Sequence, residues 1–118
     1  MKPRFSTGWM NWPGTATTPT DITHSLGVDF TTFNLPLIRI FRAGASVTNT
    51  PPVLGIDMIY EIPVGMINGA SAAHYGAFVH YKTANVISVR FIWASEFTNT
   101  ALTTLAETQA GKYLLLMY

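Results

Sequence analysis

Two runs of alternating residues, Tyr75 to Lys82 and Val86 to Trp93, constrain this chain more than any other feature. Tyr75, Ala77, Val79 and Tyr81 fall on one face of the first run. Ile87, Val89, Phe91 and Trp93 share a face of the second, with Ser88 and Arg90 opposite. A period of two places successive side chains on opposite sides of an extended backbone, whereas a helical period would scatter these residues around the axis. Only Thr83, Ala84 and Asn85 separate the runs, so they read as an antiparallel hairpin. A lone hairpin is marginal in water, and the remaining chain must supply further strands to cover its apolar face.

The remaining chain has the material to do so. Thr20 to Leu26 reads as a strand closed by a turn at Gly27. Val28 to Asn34 is a loop carrying Phe30 and Phe33. Pro36 cannot donate to a ladder and belongs at the start of a strand or on an edge, and Leu37 to Arg42 follows as a strand. Ala43 to Gly55, with Gly44, Asn49, Pro51, Pro52 and Gly55, is a long turn-rich connection. Ile56 to Ile62 reads as a strand ended by Pro63-Val64-Gly65. Met66 to Ala73 is rich in small residues, with Asn68-Gly69 as a turn signal. Ser95 to Gly111 supports a short helix or a strand and loop about equally, since its threonines oppose the helical spacing of Ala101, Leu102, Leu105 and Ala106. Lys112 to Tyr118 is a strand apolar on both faces, as a central strand or a subunit interface requires. The expected fold is all-β, an antiparallel, jelly-roll-like β-sandwich of about seven or eight short strands with at most one short helix.

Residues 1–19 stand apart as a docking arm ahead of a single sandwich domain over residues 20–118. The arm holds Pro3, Gly8, Pro13, Gly14 and Pro19 together with Phe5, Trp9 and Trp12. Indoles are costly to leave in water, so Trp9 and Trp12 must pack on something. The domain's own sheet is the preferred site and a neighbouring subunit the close second, which makes these two residues the candidates for assembly.

At 118 residues the chain fits one domain with a real core. Charged residues make up 11% of it, against about 25% in ordinary soluble domains. That shortage points to a surface covered by copies or partners. The net charge is +1 and the seven basic residues are scattered, so the electrostatic footprint of nucleic-acid binding is missing. With no cysteine, disulfides play no part. The opening residues lack the apolar run of a secretion signal, and the longest apolar runs are too short for a membrane-spanning helix; no membrane insertion is expected.

No reaction chemistry emerges. A nucleophile elbow, a phosphate-cradling glycine loop and a zinc-type spacing of histidines are all missing from the sequence, and six acids in total make any carboxylate pair uninformative. The chain is expected to be no enzyme and to hold no cofactor or metal. His24, before Leu26-Gly27, reads as a structural residue whose ring bonds a backbone carbonyl of the turn. What is left is recognition by surface. Phe30, Phe33 and Asn34 in the first loop and Asn49 in the second are the binding candidates, because loops at the ends of a sandwich carry such contacts. Trp9, Trp12, Tyr60, Tyr75, Tyr81 and Trp93 could stack on sugar rings if exposed.

Ile22-Thr23-His24-Ser25-Leu26-Gly27 followed by Pro36-Leu37-Ile38-Arg39-Ile40 resembles the opening of small β-sandwich modules of bacteriophage tail fibres and tail tips. The Thr/Asn-rich stretch from Thr98 to Thr108 and the closing strand also fit their layout. Where such modules commonly have an aromatic residue after the glycine and an early proline, this chain has Val28 and then Asp29 to Leu35. The resemblance implies a virion structural protein, assembled in the host cytoplasm. It implies a homo-oligomer, most often a trimer, docked on other virion proteins and touching a host-surface glycan or protein. A capsid decoration (cement) protein and a small H-type-like sugar-binding lectin are the alternatives.

Overall fold

The alternating hairpin forms as its sequence dictates and sits at the centre of one of two packed sheets. The computed structural model describes residues 1–13, 19–44, 47, 49–57, 59–68, 74–93 and 111–118. These form nine strands: β1 (Phe5–Ser6), β2 (Met10–Asn11), β3 (Thr20–Thr23), β4 (Ile38–Ala43), β5 (Ile59–Ile62), β6 (Gly65–Asn68), β7 (His74–Thr83), β8 (Val86–Trp93) and β9 (Lys112–Met117). There is no helix among the described residues. The expected helix-or-strand segment lies almost wholly outside them.

One sheet has the order β1-β9-β4-β5, with β2 also on the free edge of β9; the other has the order β3-β8-β7-β6. All pairings between strands are antiparallel. The chain's ends are nested as in a jelly roll: β1 and β2 pair with β9, and β3 pairs with β8. The inner four strands depart from that scheme and pair locally, β4 with β5 and β6 with β7.

The core lies between the sheets. Ile22, Ile87, Val89, Phe91 and Ala77 come from one sheet, and Ile40, Ile62, Tyr113, Leu115 and Met117 from the other. Each large aliphatic chain buried this way stabilises the fold by about 1.5–3 kcal/mol. In the β7–β8 hairpin, Ala77, Val79 and Tyr81 face this core with Ile87, Val89 and Phe91, while His80 and Arg90 are exposed. The register slips at Lys82, where a bulge leads into the Ala84–Asn85 turn. Tyr75 and Trp93 pair across the ladder; their side chains lie outside the described residues. β9 is central, paired with β1 and β2 on one side and along its full length with β4 on the other.

The crossover from β5 to β6 needs one glycine. The Ala77 amide bonds the Pro63 carbonyl at 3.0 Å, which brings the crossover backbone onto Gly76. A Cβ at Gly76, whose φ is +138°, would collide with the Gly65 carbonyl.

The segment expected to be a docking arm is part of the sandwich as far as it is described. β1 and β2 add to the β9 edge, and Trp12 is buried in the protein's own core. The Trp12 ring packs on Phe91 with centroids 4.4 Å apart and carries the guanidinium of fully buried Arg42 at 3.8 Å. A desolvated cation–π contact of this kind is worth about 2 kcal/mol. Trp12 is therefore a structural residue and is unavailable to a partner; Trp9 is half-buried.

Candidate functional site

The two loops that carry the candidate binding residues sit at opposite ends of the sandwich. β4 runs directly from one to the other, and its five residue steps separate them by about 17 Å. Phe30, Phe33 and Asn34 therefore belong to one end and Asn49 to the other.

At the first end, residues 24–28 are sewn onto the β7–β8 turn. The His24 and Ser25 amides donate to the Asn85 carbonyl at 2.9 and 3.3 Å, the Val28 amide donates to the Ala84 carbonyl at 2.7 Å, and the Gly27 amide donates to Asn85 Oδ1 at 2.9 Å. Gly27 has φ +63°, a conformation open to glycine at no steric cost. His24 continues the inward row begun by Ile22. Its ring was expected to donate to a backbone carbonyl. Instead Nδ1 accepts the Leu26 amide at 3.1 Å, the geometry an Asn or Asp side chain uses in an Asx turn.

Beyond that turn, Asp29 and Asn34 bond each other's backbone and enclose Phe30-Thr31-Thr32-Phe33 as a four-residue tip. Asp29 Oδ1 accepts both the amide (2.8 Å) and the hydroxyl (2.7 Å) of Thr31. These bonds, with others from Thr32, hold its carboxyl below the usual range. Asn34 is bonded to the scaffold at both side-chain atoms: Nδ2 donates to the Gly27 carbonyl and Oδ1 accepts from Arg4, whose guanidinium also bonds the Tyr118 carbonyl. Asn34 thus braces the loop, and one N–H and one lone pair of its exposed amide remain. The two phenylalanines differ. Phe30 leans edge-on against Tyr81, with centroids 5.2 Å apart. Phe33 is 81% exposed and sits at φ +58°. That conformation costs an L-residue roughly 1–2 kcal/mol. Exposed Leu35 and Leu37 extend the apolar surface toward β4.

At the second end, Asn49 is again a brace. Its Nδ2 donates to Asp57 Oδ2 at 3.2 Å, and the same oxygen accepts the Val53 amide at 2.8 Å. Buried Asp57 ties the loop down, and the Asp57 and Ile56 amides return to the Val53 carbonyl. The result is an apolar tip: Leu54 is 83% exposed and Ile56 73% exposed. The sequence reading missed both. Their signal is three large apolar residues, Val53, Leu54 and Ile56, set between prolines and an acid in a turn where polar side chains are usual.

The outer face of the first sheet carries a third apolar feature. Phe41 and Leu114 are paired across β4 and β9 and both are half-buried, with half-buried Leu116 opposite Arg39. Arg39 and Glu61 form a bidentate ion pair at 2.9 and 2.7 Å beside them. The arginine holds the glutamate below its ordinary range. Tyr60 and Tyr81 are half-buried.

Among the described residues no three histidines or acids come together to hold a metal ion. No family model matches the chain, no curated protein matches it, and no solved structure matches it.

Proposed function

We propose that this chain is a non-catalytic attachment and assembly subunit, and that the Phe30–Phe33 tip is its contact surface. Phe33 carries the reading. An exposed aromatic side chain held in an unfavourable backbone conformation, on a loop braced from Arg4, Gly27 and Asp29, is retained against both solvent and strain. Strain of this kind is found where structure serves a contact. The low charge and the apolar outer face of the first sheet support burial against copies or partners. Together with the likeness of residues 22–40 to phage tail modules, the reading is a virion protein of a tail fibre, tail tip or surface spike. It assembles through its sheet face, as a trimer, and touches the host through the Phe33 end.

Two measurements on the purified full chain test this: light scattering at two concentrations, and co-sedimentation with a panel of bacterial cells. A stable trimer that sediments with cells, and a Phe33→Ala variant that keeps its mass but loses most sedimentation, support the reading. A wild-type monomer at both concentrations that sediments with no strain overturns it.

A further inference from the structure

His24 is a buried ionisable side chain in the turn that leads into the Phe30–Phe33 loop. Its ring is 4% exposed, lies edge-on to Phe5 at 6.3 Å, and sits between β3 and β1. Nδ1 accepts the Leu26 amide, so the neutral ring carries its proton on Nε2, a buried atom with no hydrogen-bond partner among the described residues. Protonation would put a second donor on Nδ1, facing the Leu26 N–H at 3.1 Å, and a charge on a buried ring with no acceptor at either nitrogen among those residues. The turn cannot keep its present geometry with that ring in place. Opening of residues 24–28 would take the imidazolium to water.

On this basis, and resting on the Phe33 end being the contact surface, we propose that His24 is a proton-operated latch. Neutral, it holds the 24–28 turn closed and the loop presented; protonated, it releases the turn and the loop with it. The charged groups on the surrounding elements are engaged elsewhere. Arg4 of the N-terminal segment is on Asn34 and the Tyr118 carbonyl, Lys82 pairs with Asp21 at 2.8 Å, and Asp29 is held by Thr31. Burial alone depresses the His24 pKa below its ordinary 6.5. The sign follows. Above about pH 6.5 both open and closed turns hold a neutral ring, and the latch is fully set. As pH falls below that value the open turn takes up the proton first. Opening therefore rises up to about tenfold per pH unit until the closed-state pKa is passed. Asp21, Asp29 and Glu61 are all held below their usual values, so they remain charged through this window.

The test uses the full chain carrying His74→Gln and His80→Gln, which leaves His24 as its only histidine. Imidazole nitrogen shifts and the amide exchange of Leu26 and Val28, corrected for intrinsic rates, are followed by NMR from pH 7.5 to 4.5. The expected result is a His24 ring that titrates below 6.5. Leu26 protection should fall by up to roughly tenfold per unit over the same range. His24→Asn, whose Oδ1 can accept the Leu26 amide without titrating, should flatten the profile. A ring that titrates at or above 6.5, or Leu26 protection independent of pH, overturns the latch. If His24→Asn does not fold, the ring titration decides alone. The exchange readout needs no binding partner. A working latch on a loop that attaches to nothing would thus leave this inference standing and remove the proposed function.

Discussion

The two ends of the sandwich present apolar tips of similar exposure but hold them by different means. The Phe33 end is braced by the rest of the protein: the β7–β8 turn, Arg4 from the N-terminal segment and the backbone of Tyr118 all reach it. At the Leu54 end, Asp57 ties the loop to itself by accepting the Val53 amide four residues before it. A tip braced from several distant segments keeps its shape only while the whole fold is intact, and it can be switched through any of them. A tip tied by a carboxylate of its own loop loses that tie with a single substitution. Recognition that depends on a fixed aromatic side chain is better served by the first arrangement, because ordering before contact removes an entropic cost of binding.

The contrast can be broken most sharply at Asp57. Asp57→Ala strips a charged acceptor from the Val53 amide and from Asn49. The expected cost is about 2–3 kcal/mol, seen as a fall of roughly 10 °C in Tm. Amide protection should be lost in residues 49–57 and kept at Leu26 and Asn34. Equal loss at both ends would show that the second loop is not autonomous. Asn34→Ala removes two exposed bonds at the other end and should cost less, about 1 kcal/mol by denaturant titration. It should leave Val53 protection untouched and loosen both Gly27 and Arg4. The smallest effect is of opposite sign. Phe33→Asn places a residue tolerant of positive φ at the strained position and should raise stability by about 0.5–1 kcal/mol while abolishing attachment. A loss of stability would mean that Phe33 packs on the protein more than its exposure indicates.

Much of the fold was legible along the chain. The β8 bounds, the inward row of the hairpin and the two-sided closing strand all follow from alternation, because period two is a local property that neighbouring residues report directly. The candidate site was legible only in part. Phe30 and Phe33 stood out as aromatics in a loop, and the structure places both at the surface. Asn34 and Asn49 stood out as polar loop residues, and the structure adds what spacing could not show, that both bond residues at least seven positions away in the chain. Trp12 was expected to pack on the domain's own sheet, and it does, but nothing nearby in sequence announces Arg42 or Phe91 as its partners.

The sequence by itself determined the all-β class, the central hairpin and the low charge that leaves apolar surface to be covered. Each of these depends on composition or on spacing within a few residues. Tertiary structure alone decided which end each loop occupies, how the first and last strands nest, that Arg42 is buried over Trp12, and that the His24 ring accepts a hydrogen bond where a donor was expected. These depend on pairings between residues tens of positions apart, and on the geometry by which the burial of one side chain sets the protonation and partners of another.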